Sequence, residues 1–163
     1  MKFINKALVA AAFATAALSA SAQEQFFPAL SYRVGPYAAG GTGFFGGVID
    51  YLSLLNAQGG INGVKMTWEE CETEYNATRG VECYERLKGK GPTGATVVHT
   101  LSTGITYAVT DKTAADKIPI ITMGYGRSES VEGQALPYNF PLMGTYWTAA
   151  DILIQHLGKK DGG

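Results

Sequence analysis

Three stretches of this sequence bring together residues that could hold or transform a ligand. Gly41-Thr42-Gly43-Phe44-Phe45-Gly46 matches the spacing G-x-G-x-x-G at the start of a helical pattern. In a dinucleotide site such glycines let a pyrophosphate approach a helix amino terminus, and Glu69 or Glu70, about twenty residues on, would hold a ribose hydroxyl. Two phenylalanines inside the motif are bulky for that role, so a plain glycine-rich turn into a helix competes with it. Ser102-Thr103-Gly104-Ile105-Thr106 follows an apolar run. Hydroxyls and free backbone N–H groups at a helix start suit a carboxylate, and ordinary N-capping uses the same residue types. Thr122-Met123-Gly124-Tyr125-Gly126-Arg127-Ser128 closes the next apolar run. Its glycines allow close backbone approach, the Tyr125 ring offers an apolar wall with a polar tip, and Arg127 would pair with an anion or with Glu129 or Glu132.

The remaining reactive residues point away from catalysis. His99 lies three positions before Ser102 inside an apolar run, and no G-x-S-x-G nucleophile elbow accompanies it, so it reads as a buried, hydrogen-bonded side chain. Cys71 and Cys83 are the only cysteines; without a C-x-x-C or a neighbouring histidine, zinc and thioredoxin-like chemistry are poor fits. Glu69, Glu70, Glu72 and Glu74 lack the glycine that a calcium loop requires and read as a solvated edge. No metal or other cofactor is expected.

The chain has 163 residues, 46% apolar and 17% charged, with a formal net charge of −1. That composition fits about one packed domain and leaves no basic footprint for nucleic acid. Lys2, Lys6, the apolar run Ala7 to Leu18 and Ala20-Ser21-Ala22 form a secretory leader over residues 1–22, too short to span a bilayer. Export to the periplasm follows, with no membrane insertion once the leader is cleaved. In that oxidising compartment Cys71 and Cys83 are expected to form a disulfide.

Strand and helix patterns then alternate. Tyr32 to Pro36 is a short apolar run, and Gly40 to Gly43 reads as a turn. Phe44, Val48, Tyr51, Leu52 and Leu55 recur at helical spacing. Asn56 to Gly60 stops that helix, Val64 to Glu70 alternates as a strand, and a second helix covers Ala77 to Leu87. Ala95 to Leu101 and Ile118 to Thr122 are nearly continuous apolar runs, as in strands covered on both faces, with a helix over Thr106 to Lys117 between them. The order predicts a doubly wound α/β domain, whose ligands sit beyond the carboxyl ends of the strands. The loops opening at Pro36, Cys71, Ser102 and Met123 are therefore the ones to watch. An extended stretch, Tyr138 to Met143, precedes a helix over Tyr146 to Leu157 with Trp147, Ala150, Ile154 and Leu157 on one stripe. Such a helix ordinarily leads into a further strand, so the sequence reads as the opening part of a longer chain.

Tyr32-Arg33-Val34-Gly35-Pro36, a helix, then Asn56-Ala57-Gln58-Gly59-Gly60-Ile61-Asn62-Gly63 and a strand resemble the opening of type I periplasmic binding proteins of the leucine/isoleucine/valine-binding family. Val97 to Thr103 resembles that family's third strand with its ligand-contacting serine, Ile118-Pro119-Ile120-Ile121 the fourth, and Tyr138 to Leu157 the crossing into lobe two. The resemblance implies an extracytoplasmic receptor for an ABC importer, without catalytic activity, that delivers a branched-chain amino acid or similar small carboxylate to permease subunits. It places the ligand-binding lobe at residues 23–137, and the crossing segment and first helix of a truncated second lobe at 138–163. It implies ligand contacts from Tyr37 in the first loop, Ser102 and Thr103 after the third strand, and Met123, Gly124 and Tyr125 after the fourth. A lobe alone is expected to bind weakly or undetectably. Two competing readings are an NAD(P)-dependent oxidoreductase built on Gly41–Gly46 and a sensory ligand-binding domain of the same fold.

Overall fold

The computed structural model describes residues 24–123, 126 and 128–160, so the expected leader lies outside the described part. Five strands, β1 (Glu24–Ser31), β2 (Lys65–Glu72), β3 (Val98–Thr100), β4 (Ile120–Thr122) and β5 (Asn139–Pro141), form one sheet in the order β2-β1-β3-β4-β5. All four pairings are parallel. Helices α1 (Ala38–Ala57), α2 (Ala77–Leu87) and α3 (Thr103–Asp116) connect successive strands, and α4 (Tyr146–Lys160) follows β5. The chain turns back between β1 and β3, which is the doubly wound α/β arrangement expected from the alternating pattern.

Side chains alternate across each strand and so divide the two faces. Phe26 and Leu30 of β1, Val98 of β3 and Ile120 of β4 face α2 and α3, where they close a core with Cys83, Tyr84, Leu87, Ile105 and Val109. Phe27, Ala29, Trp68 and His99 face α1 and line a small apolar hollow beneath Phe45, Ile49 and Leu52. The helix α2 has the bounds its pattern predicts, because Asn76 caps it: its Oδ1 accepts the Arg79 N–H at 3.0 Å. Cys71 at the end of β2 and Cys83 on α2 form the expected disulfide, with Cα atoms 5.7 Å apart.

Four expectations are corrected. The first strand is Glu24–Ser31, and the run Tyr32 to Pro36 is its exit loop. Gly40 to Gly43 is no turn; it lies in the first turns of α1. The face of α1 turned to the sheet carries Gly41 and Phe45, with Ile49 and Leu52 half-buried behind them, whereas Val48 and Tyr51 are exposed. Close approach at Gly41 decides this orientation, since a Cβ there would overlap the Tyr32 carbonyl and ring. Helix α3 also starts at Thr103, earlier than its apolar pattern, because Ser102 caps it.

The segment Asn56 to Gly63 locks the free edge of the sheet. Asn56 pairs with Met66 of β2 as a strand would: its Nδ2 donates to the Met66 carbonyl at 2.6 Å and its Oδ1 accepts the Met66 N–H at 2.8 Å. Gly60 has φ +81°, and a Cβ there would meet the Val64 carbonyl, so only glycine closes this bend. This pairing covers the outward backbone groups at the start of the edge strand, at Met66.

Candidate functional site

Beyond the carboxyl edge of the sheet, four strand exits lie side by side. Ser102 is buried and caps α3, its Oγ accepting the Ile105 N–H at 3.3 Å, while its carbonyl accepts the Thr106 N–H at 2.9 Å. The first-turn amides of Thr103 and Gly104 are left pointing past the helix start, where the helix dipole is positive. The fourth exit is drawn up beside them. The Met123 N–H reaches the Thr100 carbonyl at 3.4 Å, and Gly126 packs against Thr103 and Tyr107. Gly124, Tyr125 and Arg127 lie outside the described residues.

A knot of buried hydroxyls fixes these two exits to each other. Thr106 Oγ1 donates to the Ser102 carbonyl at 2.8 Å and accepts from Thr100 Oγ1 at 2.5 Å and Thr122 Oγ1 at 2.7 Å. One side chain of α3 thereby ties the ends of β3 and β4 to the loop that carries Ser102. Replacing Thr106 with valine removes the shared partner of two buried hydroxyls, leaving Thr100 and Thr122 their longer 3.5 Å contact with each other, and a loss of about 1 kcal/mol in urea unfolding is expected. Thr106→Ser, which keeps the acceptor, should lose less than half of that.

On the other side of Ser102 the exits of β1 and β2 carry an aromatic group. Tyr37 is exposed, and its ring lies 4.2 Å from that of Tyr75, tilted by 35°. Tyr75 also meets the buried Tyr32 edge-on at 4.9 Å, and Tyr32 meets Phe45 edge-on at 5.5 Å. Burial, and secondarily the neighbouring Tyr75, raises the Tyr32 phenol above its usual pKa. Tyr75 was not legible as a site residue, because it belongs to no periodic element, and Thr106, part of the hydroxyl-rich stretch that begins at Ser102, serves as a tie between strands.

The acidic cluster is a solvated edge only in part, at Glu69 and Glu74. Glu70 is hydrogen-bonded to Arg33, which holds its carboxyl below the usual range, and Arg33 Nη1 also donates to the Thr42 carbonyl at 3.2 Å. Glu72 accepts the backbone N–H groups of Arg33 and Glu74, both at 2.7 Å. Glu69 pairs with Lys90, and Glu74 with Arg79. Glu70 and Glu72 thereby join α1, the β1 exit and the β2 exit into one platform. No group of three or more potential metal ligands occurs among the described residues.

His99 behaves as its position suggests. Its Nδ1 lies 2.9 Å from the Ile121 carbonyl, Phe44 stacks on its ring at 5.2 Å, and burial lowers its pKa, so the imidazole is held neutral. The glycine fingerprint likewise has no cradle to form, and of its glycines only Gly41 is held by close packing. A dinucleotide cradle needs its glycines in the strand-to-helix turn, but here the turn is Tyr32 to Tyr37 and Gly41, Gly43 and Gly46 are helical.

Comparisons with known proteins bear on the fold and the family. A solved structure titled an ABC transporter permease, from the Pseudomonas fluorescens group, is 45% identical over 88% of this chain and 35% of its own, with a TM-score of 0.74. The branched-chain amino acid transporter substrate-binding protein LivJ of Streptococcus pneumoniae, in complex with isoleucine, is 17% identical over 77% of this chain and 34% of its own, with a TM-score of 0.62. A solute-binding protein of an ABC transporter from Rhodopseudomonas palustris, in complex with 3,4-dihydroxybenzoic acid, is 15% identical over 75% of this chain and 32% of its own, with a TM-score of 0.61. The chain thus spans about a third of the length of each of these structures. No curated protein matches it. The family model described as periplasmic binding protein matches residues 24–163, which takes in every strand and helix of the fold, and the chain belongs to that family.

Proposed function

We propose that this chain is the first lobe of the substrate-binding component of an ABC importer, working outside the cytoplasm and delivering a small carboxylate to permease subunits. The observation that carries the reading is the start of α3, where the Thr103 and Gly104 amides and the Ser102 cap lie at the point where strand order reverses. Amides and a helix dipole suit a carboxylate, and the buried hydroxyl knot keeps them in place before the ligand arrives. Isoleucine and 3,4-dihydroxybenzoic acid, bound by two structures of the same fold, both carry that group. Ser102, Thr103, Met123, Gly124 and Tyr125 form the carboxylate end of the site in this reading, and Tyr37 belongs to the tail end. Residues 1–22 act as the export leader, 23–137 form the ligand-binding lobe, and the crossing into lobe two begins at 138, its Asn139–Pro141 stretch pairing along β4. No helix among the described residues is long and apolar enough to cross a membrane.

Closure between two lobes would supply the enclosure that buries most of a small ligand. A thermal-shift screen of the two-lobed protein against amino acids and small carboxylic acids tests the reading. A ligand present at a hundred times its Kd stabilises by about 2.7 kcal/mol, which moves the melting point by several degrees. The single lobe should show a far smaller shift with the same ligand. Equal affinities for the single lobe and the two-lobed protein would overturn the two-lobe reading, and a screen in which only uncharged or cationic solutes stabilise would overturn the carboxylate.

A further inference from the structure

We infer that Tyr75 is a specificity-determining residue of this site, forming with Tyr37 a wall that selects carboxylates with a flat, aromatic tail. The inference rests on the function proposed above and goes on to the class of tail. Tyr75 has φ 61° and the preceding Glu74 has φ 51°, so two successive side chains occupy the left-handed region that favours glycine. For a bulky aromatic residue this conformation persists only where its surroundings hold it.

Here they do so from both sides. Glu72 accepts the Glu74 N–H through one oxygen and the Arg33 N–H through the other, so one carboxylate ties the left-handed turn to the β1 exit. Thr73 Oγ1 donates to the Ser31 carbonyl at 2.8 Å and accepts the Tyr75 N–H at 3.3 Å. The two loops touch at Gly35, where a Cβ would stand 3.3 Å from the Glu74 carbonyl oxygen. These bonds set the Tyr75 ring between the buried Tyr32 and the exposed Tyr37. A residue free to adopt an ordinary conformation would not bring its ring there.

Position supplies the ligand class. β2, which leads to Tyr75, is two strands from β3, which leads to Ser102, with β1 and its Tyr37 loop between them. Neighbouring strands lie about 4.8 Å apart, so about 10 Å separates the carboxylate end from the Tyr75 exit. A ligand anchored at α3 and reaching across β1 therefore presents its tail to two tyrosine rings. Offset or edge-on packing on such rings favours a flat ring over a flexible chain, which loses more rotamer freedom when held.

Titration calorimetry of the two-lobed receptor with phenylacetate, hexanoate and glycine betaine tests this. The expected result is that phenylacetate binds about tenfold more tightly than hexanoate. Tyr75→Ala should remove most of that preference by weakening phenylacetate far more than hexanoate, and Tyr75→Phe should keep it. Tyr37→Ala, which removes a ring packed on Tyr75 at an exposed position, should weaken phenylacetate about threefold and lower the melting point by only a few degrees. An undiminished phenylacetate preference in Tyr75→Ala, or a wild-type preference for hexanoate or betaine, would overturn the inference while leaving a carboxylate or solute receptor in place. Failure of every carboxylate in a receptor that binds other solutes would overturn the proposed ligand class, and this inference with it.

Discussion

Gly41→Ala is expected to destabilise the fold by about 3 kcal/mol, while Gly43→Ala and Gly46→Ala each stabilise it by up to about 1 kcal/mol. The three glycines belong to one motif, and the opposite signs follow from where each sits on α1. A Cβ on Gly41 would collide with the Tyr32 carbonyl and with its ring, and Tyr32 is itself pinned between Phe45 and Tyr75. Neither can withdraw cheaply, because the ring is buried and the carbonyl belongs to the β1 exit. A Cβ on Gly43 meets nothing within 4 Å, and one on Gly46 meets only the flexible end of Arg33 at 3.8 Å. At those two positions alanine simply removes the entropic cost of glycine in a helix. Denaturant titration of the three single variants measures all three signs. A dinucleotide cradle predicts another pattern, in which every glycine is needed for close approach of a pyrophosphate and none is needed for packing. Uniform tolerance of alanine at all three positions would show that Tyr32 does not hold α1 in place.

The same residues explain how much could be read before the structure. α2 was legible to the residue because Asn76 and the apolar spacing of Val81, Tyr84 and Leu87 are local signals. β1 was not legible, and Pro28 is the reason: a proline inside an apolar run argues against a central strand. The sheet accommodates it because residues 26, 28 and 30 direct their backbone toward β3, and that pairing is sparse. Along it the Thr96 N–H reaches the Phe26 carbonyl, and Ala29 pairs with His99. The missing N–H of Pro28 therefore breaks no regular ladder. The glycines of α1 hid its start in the same way, since local propensity favours a turn and only the approach to Tyr32 accounts for the helix. At the site, Ser102 was legible because a cap is a local feature. The Glu70–Arg33 pair and the Thr73–Ser31 bonds join residues about forty positions apart, and no spacing rule reaches across β1 to β2. What sequence missed is thus the platform under Tyr75, which exists only once the two strands pair.

Cys71→Ala/Cys83→Ala is expected to lower stability by about 3 kcal/mol, and the melting point by about 10 °C. The bridge closes a loop with a sequence separation of 12, and in the chain-entropy account its effect lies mainly in the unfolded state, which it keeps from expanding. In the folded state it joins the end of β2 to the middle of α2, and the loop it closes contains Thr73, Glu74 and Tyr75. Hydrogen bonds from Thr73 to the Ser31 carbonyl and the Asn76 cap hold the same loop, so the native geometry should survive loss of the bridge. Thermal unfolding of the wild type with and without dithiothreitol, beside the double variant, separates the contributions. Reduction should bring the wild type down to the variant, and the variant should not respond to the reductant. A variant as stable as the oxidised wild type would mean that the hydrogen bonds alone restrain the loop. Because hydrogen bonds hold the Tyr75 loop without the bridge, reduction should lower the melting point while leaving the preference for phenylacetate over hexanoate in place.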